Sequence, residues 1–326
     1  MIATGVAARY PEGVAGAGRS CLLRTLDDAI VLRGELEGSS RVVVIGVGVL
    51  ASESASAARA VGREAVIVGR SGRLSFGTAG SLLSPRLEEL HITHGVELEL
   101  SVGAREVLSI GEHATGVVLN DGRTIEGDLV IGASGDAPRT GWLAGSALQV
   151  DDGELCSTSG RAADGVFAVG DVARWVDEAR GGTKRVEHQS NAIEQGLAVA
   201  RTIVTGKASA VAAPFFWFDI QDVRIQAYGT FDRSLPLRSV VGDPASDRFV
   251  LGSIVEGRAL GILGWNVARD LRLARSLVDD DRAAVVEVGS LLVQKRLIAT
   301  PRPTRKEQSD DRYSPMPIQR PAVTAR

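Results

Sequence analysis

The segment Arg41-Val42-Val43-Val44-Ile45-Gly46-Val47-Gly48-Val49-Leu50-Ala51 constrains this chain more than any other. Its β-branched run forms a buried strand, glycines break it, and the Ala-rich stretch to Val61 has helix character. The order is strand, tight turn, helix. In Gly46-x-Gly48-x-x-Ala51 the first glycine permits the turn, the second lets a pyrophosphate approach the backbone, and the alanine allows close helix packing. The helix N-terminus adds attraction for negative charge. An ordinary glycine turn in an α/β sheet would use the same residues, but the flanking strand and helix favour a dinucleotide fingerprint.

The neighbouring segments extend this unit. Residues 65–68 follow Gly62 as a parallel strand follows its crossover helix. Residues 96–100, 106–110 and 117–119 alternate or cluster apolar side chains, and Asp121-Gly122 is a hairpin turn, which predicts a small antiparallel meander. Residues 128–132 return to buried-strand character and would close a mononucleotide-binding sheet. A second apolar strand, residues 165–169, runs into Gly170-Asp171, and a helical pattern covers 191–204, which again reads as strand, turn, helix. From Pro214 the texture changes to aromatics and short strands at 223–228, 248–255 and 259–267, the last two joined at 256–258. The fold class is therefore α/β, with doubly wound Rossmann-like nucleotide-binding domains and a smaller C-terminal α+β domain. Residues 301–326 hold five of the eleven prolines, and a disordered tail is expected there.

Composition removes several classes. The 326 residues carry 37 basic against 40 acidic side chains, which argues against a nucleic-acid footprint. With Phe 7, Trp 4 and Tyr 3, stacking platforms for single strands are not expected either. No apolar run reaches the length of a membrane span, and the first residues lack a charged region before an apolar stretch, so a cytoplasmic protein is expected. Cys21 and Cys156 form no C-x-x-C pair and read as spectator thiols. His91 and His94 lack partners at metal-ligand spacing, so no metal site is expected. A G-x-S-x-G nucleophile elbow is missing.

Three further positions carry possible chemistry. An acid for the adenosine ribose is expected about 20 residues beyond the glycine turn, but the sequence there is Val68-Gly69-Arg70-Ser71-Gly72-Arg73. Arg70 and Arg73 could hold a 2′-phosphate, or be solvated loop charges. Asp171, just past its strand, could accept bonds from sugar-like hydroxyls or cap a helix. In Glu187-His188-Gln189, His188 is a proton shuttle or, preferably, a packing residue.

Together these motifs form an ordered pattern. Ala3-Thr4-Gly5, the run 23–29 containing Arg24, Val44-Ile45-Gly46-Val47-Gly48 with Glu53, Asp121-Gly122, Gly135 with Pro138, and the run 168–173 follow one another. Arg185-Val186-Glu187-His188 with Asn191-Ala192, then Phe216-Trp217 with Gln226, complete the order. The chain resembles the FAD-dependent ferredoxin reductases, of the putidaredoxin reductase and aromatic-ring dioxygenase reductase type, within the pyridine nucleotide-disulfide oxidoreductase superfamily. The resemblance covers residues 1 to about 287.

It implies a flavoenzyme that takes hydride from NADH or NADPH through FAD and passes single electrons to a small iron–sulfur ferredoxin. By the family pattern Asp171 and Gly170 would hold the flavin's ribityl chain, and Thr4, Gly5, Arg24 and Gly135 would lie along the FAD site. Glu187 and Gln189 would fall near the isoalloxazine. Glu53 would sit in the nicotinamide cleft, and Trp217 would face the flavin from the C-terminal domain. Gly46, Gly48 and Ala51 would cradle the pyridine nucleotide, with Arg70 and Arg73 beside its ribose. Implied boundaries are 1–32 and 143–212 for the FAD-binding domain, 33–142 for the NAD(P)-binding domain and 213–290 for the C-terminal domain, with 291–326 as tail.

The departures are informative. Gly69 stands where the family commonly has an NAD-preferring acid, Ala51 replaces the third glycine, and Arg139 replaces an asparagine after the proline. The family's opening strand and G-x-G-x-x-G segment, which bind the FAD pyrophosphate, have no counterpart in the sequence, leaving the FAD half incomplete. Strand 166–169 is then expected to lose a neighbour and expose an apolar edge. An alternative is a non-catalytic remnant that only binds pyridine nucleotide, and a third reading is a scaffold presenting Arg269, Arg272 and Arg275 to an acidic partner.

Overall fold

A computed structural model describes residues 1–76, 83–177, 181–209, 211–231, 236–256 and 258–279. The expected tail, residues 291–326, and Gly257 in the 256–258 turn lie outside the described residues.

The chain opens with Val6–Ala8 (β1) and the helix Leu26–Gly38 (α1). A capping box starts α1: Thr25 Oγ1 accepts from the Asp28 amide, and the Asp28 carboxylate accepts from that of Thr25. Next come Arg41–Ile45 (β2), Val49–Ala60 (α2), Glu64–Val68 (β3), Ser84–Thr93 (α3) and Val96–Glu99 (β4). Ala104–Ile110 (β5), His113–Leu119 (β6) and Thr124–Glu126 (β7) form an antiparallel meander. Leu129–Gly132 (β8) returns to the first sheet, whose order is β4-β3-β2-β8, all parallel.

Alternation along the strands explains the layers. Val42, Val44, Ala65, Ile67, Leu129 and Ile131 pack on Ala51, Ala55 and Ala58 of α2 and Leu87 of α3. Val43, Ile45, Val66, Val68 and Val130 face the other way, onto Val107, Val117 and Leu119 of the meander. Each such aliphatic side chain contributes about 1.5–3 kcal/mol when fully buried, an upper figure because unfolded chains already hide some surface.

Residues 96–100 do not join the meander as expected. Residues 96–99 are the parallel edge strand β4, delivered by α3 and the Gly95 turn at φ +75°. An edge strand half exposed to solvent alternates just as a meander strand does, so local pattern could not separate the two.

Asp136–Pro138 (β9) pairs antiparallel with β1. Glu154–Cys156 (β10), Arg161–Ala163 (β11), Val166–Phe167 (β12), Ala173–Val176 (β13) and Thr183–Arg185 (β14) then precede the helix Gln189–Thr205 (α4). The expected second strand-turn-helix is therefore interrupted. Asp171 sits in a single 3₁₀ turn, Gly170–Val172, and strands β13 and β14 pair before α4 begins. The expected exposed edge is not found: the Ile2 amide donates to Phe167 O (2.7 Å), that of Val169 to Ile2 O (3.0 Å), and that of Ala168 to Gly160 O (2.9 Å). Phe167, Ala168 and Val169 are buried.

The C-terminal part is a five-stranded antiparallel sheet of Phe215–Ile220 (β15), Val223–Gly229 (β16), Arg238–Val241 (β17), Phe249–Val255 (β18) and Arg258–Trp265 (β19), in the order β15-β16-β19-β18-β17. Helices Ala268–Ala274 (α5) and Ser276–Asp279 (α6) cover one face through Leu271, Ala274 and Leu277. The other face presents Phe216, Phe218 and Ile220 to the core shared with α2. Arg269, Arg272 and Arg275 are exposed on and beside α5, and Arg275 lies over the Tyr228 ring.

At Gly46 the backbone has φ +148°, and a Cβ would overlap the Ala133 carbonyl oxygen. Gly46→Ala should therefore destabilise the protein by about 2–4 kcal/mol, read as a drop in urea midpoint at constant slope. A midpoint within error of the parent would contradict this packing.

Candidate functional site

A cavity of about 850 Å³ opens where the glycine turn, the residues after β8, the start of α4 and strand β15 converge. The β2–α2 connection supplies Gly48, Val49, Leu50 and, one turn into α2, Glu53. Gly132, Ala133, Gly135 and Asp136 come from the end of β8 and the start of β9. Lys184, Arg185, Glu187, His188 and Gln189 form a second wall, and Phe215, Phe216, Trp217 and Phe218 form the aromatic one. Arg24 enters from just before α1. The cavity volume and mixed lining are those of a cofactor site.

The expected site residues divide into groups. Arg24, Gly48, Glu53, Gly135, Glu187, Gln189 and Trp217 line the cavity. Asp171 stands behind Arg24, whose Nη2 donates to Asp171 Oδ2 at 2.9 Å. Gly170 is buried beside it, its amide donating to Gln195 Oε1 at 2.8 Å. Gly46 and Ala51 shape the turn from beneath, Ala51 being fully buried. Thr4 and Gly5 are not in the lining: Thr4 Oγ1 donates to Arg139 O, and Gly5 O accepts from the Arg139 amide. Arg70 and Arg73 lie past β3, also outside the lining, and Arg73 pairs with Glu88 at 2.8 Å.

Electrostatics give the walls their character. Burial pushes the Glu53 carboxyl up, partly opposed by a hydrogen bond from the Asp219 amide at 3.3 Å. Burial also raises Asp136, against the opposing pull of Arg24, and raises Glu187, against that of Arg185. Arg185 bridges Glu187 and, at 3.1 Å, Asp152. His188 is pushed down to about 4, first by burial and then by Lys184, and its ring packs 4.6 Å from that of Phe216. It is neutral near pH 7, which agrees with a packing residue.

Asp136, Lys184, Arg185, Phe216 and Phe218 were not singled out for chemistry by the sequence pattern. A charge cluster at 184–187 and the adjacency of Asp136 to Gly135 were the available signals. Cys21 is half-buried and Cys156 buried, and burial raises both thiols, Cys156 to about 12. Inert thiols are what such surroundings produce. Among the described residues no group of three metal-ligating side chains occurs.

The residues fit nucleotide-type groups. No atom lies within 4 Å of a Cβ position at Gly48, the N-cap of α2, so its backbone is open to a diphosphate, and the aromatic wall offers flat apolar surface for stacked rings.

Comparison with known proteins agrees. The pyridine nucleotide-disulphide oxidoreductase family matches residues 1–196. A ferredoxin–NAD(P)+ reductase of Sphingomonas sp. is 32% identical over 82% of this chain and 64% of its own length. The ferredoxin–NAD+ reductase component of the p-cumate 2,3-dioxygenase system of Pseudomonas putida is 30% identical, covering 87% of this chain and 71% of its own. Among solved structures, a ferredoxin reductase of Rhodopseudomonas palustris superposes with a TM-score of 0.79 at 30% identity, over 91% of this chain and 74% of that one. The chain spans 60–64% of the length of the first four curated relatives.

Two outcomes follow from this geometry. Gly48→Ala, which meets open space, should leave stability within about 0.5 kcal/mol yet weaken binding of 5′-AMP-type nucleotides about tenfold, seen by calorimetry. Second, His91, with both ring nitrogens buried and unpartnered, is also pushed down to about 4. Between pH 6.5 and about 4 the unfolded chain binds protons that the folded one excludes, so stability falls on acidification, by at most about 1.4 kcal/mol per pH unit per histidine. His91→Leu should flatten the dependence of the urea midpoint on pH, and an unchanged slope would refute the assignment.

Proposed function

Because the chain belongs to the pyridine nucleotide-disulphide oxidoreductase family, we propose that it serves an FAD-dependent NAD(P)H oxidoreductase of the ferredoxin-reductase type, delivering electrons to a small iron–sulfur protein. The observation that carries this reading is the cavity in which the open Gly48 turn, Glu53 and the aromatic strand meet. The names of the relatives support it: two are ferredoxin reductases, and putidaredoxin reductase in covalent complex with putidaredoxin superposes with a TM-score of 0.80 at 26% identity, covering 91% of this chain and 73% of that one. In this reading residues 33–142 hold the pyridine nucleotide, 1–32 and 143–212 belong to the flavin-binding part, 213–290 supply the aromatic wall, and the setting is cytoplasmic. No helix among the described residues is long and apolar enough to cross a membrane.

When bound, a flavin supplies hydride acceptance from a nicotinamide and one-electron release to an iron–sulfur acceptor. The chain's own residues do the rest. Gly48 and the first turn of α2 receive the diphosphate of the pyridine nucleotide. Arg24, Asp136, Arg185 and Glu187 would provide the polar wall for the flavin, and Asp171, paired with Arg24, would with Gly170 hold its ribityl chain. Gln189 and Trp217 border the ring region. Phe216 and Phe218 exclude water, which strengthens the remaining polar contacts. Glu53, fixed by the Asp219 amide and raised by burial, holds a proton at its carboxyl more readily than a solvated glutamate does and orients the nicotinamide.

Incubated with FAD and freed of excess, the protein should turn yellow, bleach anaerobically with NADPH or NADH, and then reduce an added ferredoxin. Protein that stays colourless yet binds NADPH would sink the electron-transfer reading and leave a non-catalytic pyridine-nucleotide-binding chain.

A further inference from the structure

We propose that the nucleotide site selects an adenosine ribose bearing a 2′-phosphate, that is NADPH over NADH, with Arg70 as the phosphate-binding group and the packing of Val47 on Gly69 as the feature that excludes the alternative. This deepens the reading above and rests on the β2–α2 turn holding a pyridine nucleotide.

In a dinucleotide fold the residue closing the second strand normally carries the carboxylate that accepts bonds from the ribose hydroxyls. Here that position is Gly69, directly after β3, and it is buried. A Cβ on Gly69 would overlap Val47 Cγ1 and come within 3.4 Å of Leu100 Cδ2. Val47, the residue between the two turn glycines, fills the volume through which an acidic side chain would have to leave the backbone. The acid is thus sterically barred as well as absent.

The following loop is built rather than loose. The Gly69 amide donates to Glu99 O (2.9 Å), and Gly69 O accepts from the amides of Val102 and Gly103. Ser71 O accepts from the Ser101 amide (3.0 Å), and the Ser75 amide donates to Val47 O (2.7 Å). Arg70 therefore projects from fixed backbone. Its stem runs over Gly103, where a Cβ would lie 2.5 Å from Arg70 Cγ, so a glycine at 103 gives the stem its path. The Arg70 residue is exposed.

Charge accounting around the loop singles out Arg70. Glu88 is held by Arg73 and also accepts from the Leu74 amide, while Glu99 and Asp121 are both held by Arg123. Among the described residues Arg70 has no ion-pair partner. Arg73, equally eligible by sequence, is already engaged. One uncompensated guanidinium on the residue directly after Gly69, where the ribose carboxylate is absent, matches a phosphate dianion, which such a fork binds through paired charge-assisted bonds.

The test measures binding of 2′,5′-ADP and 5′-AMP to the full chain by calorimetry at one fixed ionic strength, which needs no flavin and no turnover. The expected result is 2′,5′-ADP tighter by about tenfold to a hundredfold. Arg70→Gln should abolish that difference with 5′-AMP unaffected, and Arg70→Lys should keep part of it. Gly69→Glu alone should lower the melting temperature, whereas Val47→Gly combined with Gly69→Glu should restore it and turn preference toward 5′-AMP. Equal affinities in the parent, or an Arg70→Gln protein weakened equally for both probes, would overturn the proposal. If neither probe binds, the nucleotide-site reading itself fails and takes this inference with it.

Discussion

The close approach of Gly46 to Ala133 is the contact on which the site depends. The Gly46 amide donates to Val68 O at 2.9 Å and the Ala133 amide to Ile45 O at 2.8 Å, so the C-terminal ends of β2, β3 and β8 converge at this bend. Only a residue without a side chain can pass there, because a Cβ would enter the Ala133 carbonyl. Two residues on, the same turn meets open space at Gly48, the N-cap of α2. A crowded glycine beneath and an open one above turn a strand-to-helix connection into an anion cradle.

From that bend α2 becomes a wall shared by two sheets. Its alanines 51, 55 and 58 pack on the parallel sheet, and its Glu53 and Ser56 bond to the backbone at the end of β15 and just beyond it. Ser56 Oγ accepts from the Gln221 amide at 2.5 Å and Glu53 Oε1 from that of Asp219 at 3.3 Å. Both donors lie on the chain just beyond Phe216 and Phe218, whose rings are buried. These bonds set where the aromatic strand stands relative to the nucleotide turn. Alternation along β15 then sends Phe216 and Phe218 into the core and leaves Trp217 on the opposite side, stacked on Phe215 at 5.5 Å.

What could be read from the sequence followed the range of the forces involved. The turn at 46–48, the parallel strands 65–68 and 128–132 and the C-terminal strands at 223–228, 248–255 and 259–267 are local patterns that the sequence exposes directly, whereas the edge strands β15 and β17 were not read from it. Residues 96–100 were misplaced because edge position is a tertiary property that alternation does not encode. The hairpin of β13 and β14 was missed because its strands are only four and three residues long, too short for alternation to show, and the apolar positions Ala173 and Trp175 become buried through pairing with β10. Of the site, Gly48, Glu53 and Trp217 were reached through motif order, whereas Asp136, Lys184 and Phe218 join it only through folding. The Val47–Gly69 exchange is invisible in one dimension: 22 positions separate residues whose side-chain volumes compete for the same space.

The cavity's charges show why its histidine is a poor proton donor. Arg24 bridges Asp171 at 2.9 Å and approaches Asp136 at 4.0 Å, while Arg185 spans Glu187 and Asp152 and donates to Asp171 O. Removing one member would leave a partly desolvated opposite charge, which costs more than the pair contributes. His188 stands among these groups, yet burial and the neighbouring Lys184 hold it near 4, so at neutral pH its ring offers surface to Phe216 rather than a charge. The same burial acts in the opposite sense on carboxyls, raising Glu53, Asp136 and Glu187. Desolvation therefore shifts proton-holding capacity from the imidazole to the acids, and of those acids Glu53 is the one carried on α2, the helix that follows the glycine turn.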